Sequence, residues 1–276
     1  MELSGPRVGD VLSADSIIIV PLGAVEQHGP HLPLGTDLIV AEAVARATVE
    51  AHGEEHDAWM LPPLGFTKSN EHAWSPGTMW LSAQTLLSVL DDIGRCIATT
   101  PARRVLFLNG HGGNSALLQV ANRELRVKHG LRTFLAHPHM PADQGGSSAA
   151  GELGMGIHGG TDETSVMLHL RPDLVDMSLA VRRVPEKIAE NKHVKFGGSV
   201  PFGWLSNDFF PEGHIGDPTG ASAELGASMF ATAVGTLGEV LGEVAGVDVR
   251  DRGDEGDRPG EHRGAEGEVD ARIGDA

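Results

Sequence analysis

The 276-residue chain contains no tyrosine, and cysteine occurs once, at Cys96. One cysteine excludes an intramolecular disulfide and a thiolate-rich zinc site, and it fits a reducing compartment. Basic residues are also scarce: 21 Lys and Arg face 38 Asp and Glu, a formal net charge of −17. A chain this acidic repels nucleic acid and anionic lipid, so neither is expected as a partner. Part of the charge is local, since residues 251–276 hold nine acidic and four basic side chains. Residues 248–276 lack periodicity and read as a disordered acidic tail. The start has no basic segment followed by an apolar one, so no secretory signal is expected. No apolar run approaches the ~20 residues that span a bilayer. A cytoplasmic protein follows as the expectation. Residues 1–247 form its one domain, since 40% hydrophobic content suffices for a sizeable core.

What is present alternates strand with helix. Residues 16–24 contain Ile17, Ile18, Ile19 and Val20, a β-branched run suited to a strand covered on both faces. A helix follows over 38–52, with Ile39, Val40, Ala43, Val44 and Ala47 at helical spacing. Residues 58–66 read as a second strand that ends early or lies at an edge, because of Pro62 and Pro63. Ser82 caps a helix to residue 99, with Cys96 as a small residue beside its core face. Residues 103–109 and 131–137 are strands around a helix ending near residue 129. After a glycine-rich loop over 138–156 come a short helix over 164–170, an irregular stretch over 185–211 and a last helix over 221–244. The fold class is α/β, a three-layer sandwich with a mostly parallel central sheet.

The chemistry concentrates where the first strand ends. Residues 21–37 carry Glu26, His28, His31 and Asp37 among glycines and prolines. Glu26 and His28 are two apart, so in an extended segment they share a face. His111 follows the third strand directly. Strands of a parallel sheet deliver such residues to one edge, where ligands bind. Oxygen and imidazole donors together suit Zn, Mn or Fe better than a thiolate metal or calcium. Two divalent ions would need three carboxylates and a hydroxide for neutrality. Glu163 is the expected third carboxylate, with a rival reading as a first-turn residue favoured by the helix dipole.

Glu-Gln-His-Gly-Pro-His-Leu-Pro with Asp37, then Asn-Gly-His-Gly-Gly-Asn, then His-Gly-Gly-x-x-Glu-Thr-Ser closely resemble the creatininase (creatinine amidohydrolase) family. The likeness runs from about residue 16 to about residue 240. It implies two metals held by Glu26, His28, Asp37 and His111, with Asp37 bridging, in a homohexamer that hydrolyses C–N bonds. Two departures stand out. Creatininases carry a glutamate ligand where this chain has Gly113, and a glutamate where it has Ile157. Glu163 is read as the replacement ligand. The glycine form resembles members that act on formamido-pyrimidines or on a modified precursor peptide, as in mycofactocin maturation.

The expected function is a dinuclear metal-dependent amidohydrolase acting on an amide, cyclic amide or formamide bond of a small molecule or modified peptide. His158 is the expected catalytic acid/base, with support of the ligands from the second layer as its alternative. His31, His72, Trp74 and Trp204 are candidates for the substrate pocket, while His193 beside Lys192 and Lys195 could meet an anionic group. Three rival readings keep the metal site: a lactone or cyclic-ketone hydrolase, a mycofactocin-type precursor peptide peptidase, and a metal-binding oligomer without catalysis.

Overall fold

The computed structural model describes residues 3–138 and 149–247. The expected tail over 248–276 and most of the glycine-rich loop, with His139, lie outside these residues. A short helix, α1 (Gly5–Val11), comes first. It spans only seven residues and buries no side chain, so periodicity does not announce it. There follow β1 (Ile17–Leu22), α2 (Thr36–His52), β2 (Ala58–Met60), α3 (Ala83–Ile97), β3 (Arg104–Asn109), α4 (Ser115–His129) and β4 (Arg132–Ala136). The last part holds α5 (Thr161–Leu170), α6 (Glu186–Ala189) and α7 (Ala223–Gly246). β2 stops before Pro62, as a residue without an N–H requires.

The four strands run parallel in the order β2-β1-β3-β4. Every residue of β1 and of β3 is buried. Alternation then divides their side chains between two cores. Ile17, Ile19, Leu106 and Leu108 pack against α2, α5 and α7 through Val40, Val44, Met167, Leu237 and Leu241. Ile18, Val20, Leu22, Val105 and Phe107 pack against α3 and α4 through Leu86, Leu90, Leu118 and Leu125. Each such side chain contributes roughly 1.5–3 kcal/mol by leaving water. The result is a three-layer sandwich, as expected.

The register places the site. Leu22 pairs with Asn109, so β1 and β3 end level. The connection after β1 runs outward to β2 and the connection after β3 runs the opposite way to β4, which makes the β1/β3 boundary the point where the chain order reverses. Gly23 and Gly110 follow directly. A β-carbon on Gly23 would stand 2.5 Å from the Leu38 backbone, and one on Gly110 would stand 2.7 Å from the Asp37 carbonyl oxygen. Only glycines let the start of α2 rest on both strand ends. That contact carries Asp37 onto the sheet edge.

Residues 150–216 add a wall with its own small core of Met155, Ile157, Val184, Phe196 and Ile215. Phe202, Trp204 and Phe209 pack around Phe196. His158 bridges to Ile215, which ties this wall to the site.

One expectation needs correction. Cys96 is an exposed free thiol, not a core residue, because the apolar stripe of α3 runs through Leu86, Leu90 and Ile97 and turns Cys96 outward. The 24 residues of α7 are long and apolar enough to cross a membrane by length and composition. Here α7 instead lays Leu237, Leu241 and Val244 on the sheet core.

Candidate metal centre

Glu26, His28, Asp37, His111, His158 and Glu163 converge beyond the ends of β1 and β3. Three overlapping groups bring their donor atoms within 4.8 Å of one another: Glu26, Asp37 and His111; His28, Asp37 and Glu163; and Glu26, His28 and His158. Asp37 belongs to two of the groups. It is the second residue of α2 and does not cap the helix, since Gly35 holds that position. Glu163 sits in the first turn of α5, which begins three residues earlier than expected, at Thr161.

Glu26 Oε1 is the centre of the arrangement. His111 Nδ1 stands 3.2 Å away, His72 Nε2 3.4 Å, His158 Nδ1 3.7 Å and His28 Nε2 3.8 Å. Yet this buried oxygen has no hydrogen bond, and neither does Asp37 Oδ2. Buried carboxylate oxygens without partners are costly unless a cation or proton meets them. Glu26 Oε2 is oriented by the Ser69 hydroxyl, which donates to it at 2.5 Å. His28 Nδ1 donates to the Glu26 carbonyl at 3.1 Å, which leaves Nε2 to face Asp37 Oδ1 at 2.9 Å. His158 Nε2 donates to the Gln27 carbonyl at 2.6 Å, which leaves its Nδ1 facing the carboxylates. Imidazoles anchored through one nitrogen offer the other as a ligand or base.

Electrostatics tell the same story. Burial opposes charge on His28, but Asp37, then Glu163 and Glu26, outweigh it and push its pKa up to about 10. Burial likewise opposes charge on His111, and Glu26, Asp37 and Glu71 raise it well above the usual histidine value. Protons on these rings do what cations would do among such carboxylates. Burial pushes Glu163 up to about 7, with the Asp37 and Glu26 carboxylates adding to the rise. Burial and the neighbouring His28 and His72 hold His158 well below the usual value, so it is neutral. The donor set is therefore chemically fit for two divalent cations: three carboxylates and two imidazoles whose protons metal would displace, with orphaned oxygens aimed inward.

The cavity over this cluster measures about 280 Å³. Its lining includes Lys68, Glu71, His72, Phe202 and Trp204 beside the acidic cluster. His72 and Trp204 thus reach the cavity. His31 lies behind its wall, where Nε2 meets the Gly159 carbonyl and Thr164 Oγ1, both at 3.1 Å. Trp74 donates from Nε1 to Ser206 Oγ at 2.7 Å and lies outside the lining. His193 is exposed and pairs with Ser199. Sequence reasoning missed Gln27, Ser69, Lys68 and Glu71. Gln27 Nε2 lies 2.9 Å from His72 Nδ1 and 2.9 Å from the Gly213 carbonyl, so it joins the loop after β1 to the outer wall. Glu163 lies on the His28 side of the cluster, and the carboxylate beside Gly113 is that of Glu71.

The creatininase family model, described as creatinine amidohydrolase, matches residues 1–241. A mycofactocin precursor peptide peptidase of Mycobacterium ulcerans (strain Agy99) is 38% identical over 225 residues, covering 79% of this chain and 81% of that protein. A creatinine amidohydrolase of Pseudomonas putida is 35% identical over 192 residues, covering 63% of this chain and 72% of that protein. The solved structure "Creatininase Mn" aligns with a TM-score of 0.68 at 27% identity, covering 88% of this chain and 96% of that one.

Proposed function

The chain belongs to the creatininase family, and from that premise we propose that it is a dinuclear amidohydrolase cleaving a C–N bond of a modified peptide. That it is a metal-dependent hydrolase of this family follows from membership and from the buried donor cluster. The observation that carries the dinuclear reading is Asp37, whose carboxylate is common to two sets of three converging donors, all buried but the half-buried Glu163. Glu26, Asp37 and His111 would hold one ion; His28, Asp37 and Glu163 would hold the other. When bound, such ions supply Lewis acidity and lower the pKa of water to near neutrality. Zn, Mn and Fe all suit these donors.

The chain's own residues do the rest. His158, neutral and anchored at Nε2, has Nδ1 free to take a proton and return it to the leaving nitrogen. His72 and Gln27 keep that ring in place: His72 stacks beside it with centroids 4.2 Å apart, and Gln27 holds both. Phe202 and Trp204 close the outer wall, giving an apolar face to whatever flanks the scissile bond.

The modified-peptide substrate is supported by the 38% identical mycofactocin precursor peptide peptidase. A cyclic amide is the second reading, favoured by the creatinine amidohydrolase relative. A homohexamer in the cytoplasm completes the proposal; the free Cys96 thiol fits a reducing compartment. The test is chelator-treated protein, before and after addition of Zn, Mn or Fe, assayed for new amine from a modified precursor peptide and a formamide, for creatine from creatinine and for hydroxy acid from a lactone. Metal-dependent release of amine from the peptide is expected. Hydrolysis that persists in metal-free protein, or of the lactone alone, overturns the proposal.

A further inference from the structure

Glu71 is a carboxylate of the site that the proposed chemistry does not use. It lies in the loop between β2 and α3, with its side chain only 11% exposed. Its Oε1 faces His111 Nε2 at 3.2 Å. That nitrogen is buried and has no aligned hydrogen bond. The other nitrogen of the same ring, Nδ1, faces Asp37 Oδ2 at 3.1 Å and Glu26 Oε1 at 3.2 Å. One ring therefore stands between two carboxylate environments. On one side is the donor group that could take an ion; on the other is Glu71 alone.

Two features separate Glu71 from the ligands. It belongs to none of the groups whose donor atoms converge. Its outer oxygen is already engaged, since Lys68 Nζ donates to Oε2 at 2.8 Å. Glu71 and Lys68 form a neutral pair, so Glu71 adds no net charge to the cluster. Space for the carboxylate comes from Gly113. A β-carbon there would fall inside the Glu71 carboxylate and against the His111 ring.

We infer that Glu71 is the positioning residue of His111: it accepts the Nε2–H and so presents the Nδ1 lone pair to the ion held with Glu26 and Asp37. The logic is that of a ligating histidine whose far N–H is held by a carboxylate, which fixes tautomer and ring orientation and strengthens the donor. A neutral imidazole that donates from Nδ1 must carry its proton on Nε2. Among the described residues, Glu71 is the acceptor placed to receive it. Lys68 keeps the carboxylate facing the ring, and Gly113 keeps the gap open. This inference rests on the metal reading above.

The test uses the whole chain, stripped by chelator and titrated with cobalt(II), comparing wild type with Glu71→Gln, Glu71→Ala and Glu71→Leu. The readouts are the number of ions per chain, their affinities and the visible cobalt spectrum. Two ions on wild type are expected. In Glu71→Ala one ion should bind roughly 10–100-fold more weakly, with a changed spectrum, while the other is retained, and Glu71→Gln, which keeps an acceptor, should lose less. Glu71→Leu, close in size to the native residue and without an acceptor, keeps the test valid if Glu71→Ala does not fold. Two ions of native affinity and an unchanged spectrum in Glu71→Ala or Glu71→Leu would overturn the role of Glu71 alone. No cobalt uptake by wild type would overturn the metal reading itself.

Discussion

His28 Nε2 and Asp37 Oδ1 lie 2.9 Å apart with both side chains shut off from solvent, so in the metal-free chain a proton holds the pair together. Burial works against that proton, but Asp37, Glu163 and Glu26 raise the His28 pKa from 6.5 to about 10. A raised folded-state pKa gives stability that is complete below the unfolded value and is lost as pH rises through the folded one. The pair should therefore stabilise metal-free protein fully below pH 6.5 and progressively less up to about pH 10. Glu163, raised from 4.5 to about 7, acts with the same sign in its lower window. Metal replaces these protons, so loaded protein should escape the loss. Thermal unfolding of chelated and loaded protein from pH 6 to 9 should show a gap in Tm that widens with pH. Parallel curves would contradict this account.

Asp37 and Glu163 should differ in what they cost when removed. Asp37 takes part in two donor groups and Glu163 in one. Elemental analysis of Asp37→Asn should find both ions lost, and of Glu163→Gln only one. Equal losses from the two variants would exclude the shared position of Asp37.

The convergence of the donor residues and the frame behind them were legible because they are local or topological. The β-branched run of β1, the level ends of β1 and β3, and the glycines behind them bring Glu26, His28 and His111 to one edge by strand order alone. Asp37 follows from the helix that starts there. Glu71 was not legible in this way. It lies 45 positions after Glu26 in a loop without periodicity, and only folding brings its carboxylate to Gly113. The glycine at 113 carried a signal, a missing side chain in a crowded site, but not the identity of what fills the gap. Cys96 misled for a related reason. Its spacing lies beside the apolar stripe of α3, and a shift of one position on a helix moves a side chain by ~100°.

Glu152 should be a structural clamp for the site. Its Oε1 accepts the backbone N–H of Thr161 at 3.1 Å and of Asp217 at 2.5 Å. Gly156, Gly160 and Gly216 crowd around it, leaving no room for side chains. Those contacts fix the segment that carries His158 and Glu163. Glu152→Ala strands two N–H groups, at about 1–3 kcal/mol each. Urea unfolding should show a loss of about 2–6 kcal/mol, and less in Glu152→Gln, which keeps an acceptor. A loss below about 0.5 kcal/mol, the range of ordinary surface changes, would rule out the clamp.

His158 tests the chemistry apart from the metal. Its Nε2 is tied to the Gln27 carbonyl at 2.6 Å, so only Nδ1 can move a proton at the site. Burial and the neighbouring His28 and His72 hold its pKa below 6.5. Such a group is a competent base at neutral pH and fails only when acid protonates it. The rate should therefore rise with pH along a limb lying below pH 6.5 and level off above it. His158→Ala should lower kcat by about 10²–10⁴ and flatten that limb, while elemental analysis still finds both ions. His158 also shares a group of converging donor atoms with Glu26 and His28. If the variant instead loses metal in proportion to activity, His158 is a ligand, and the proton must travel by another group.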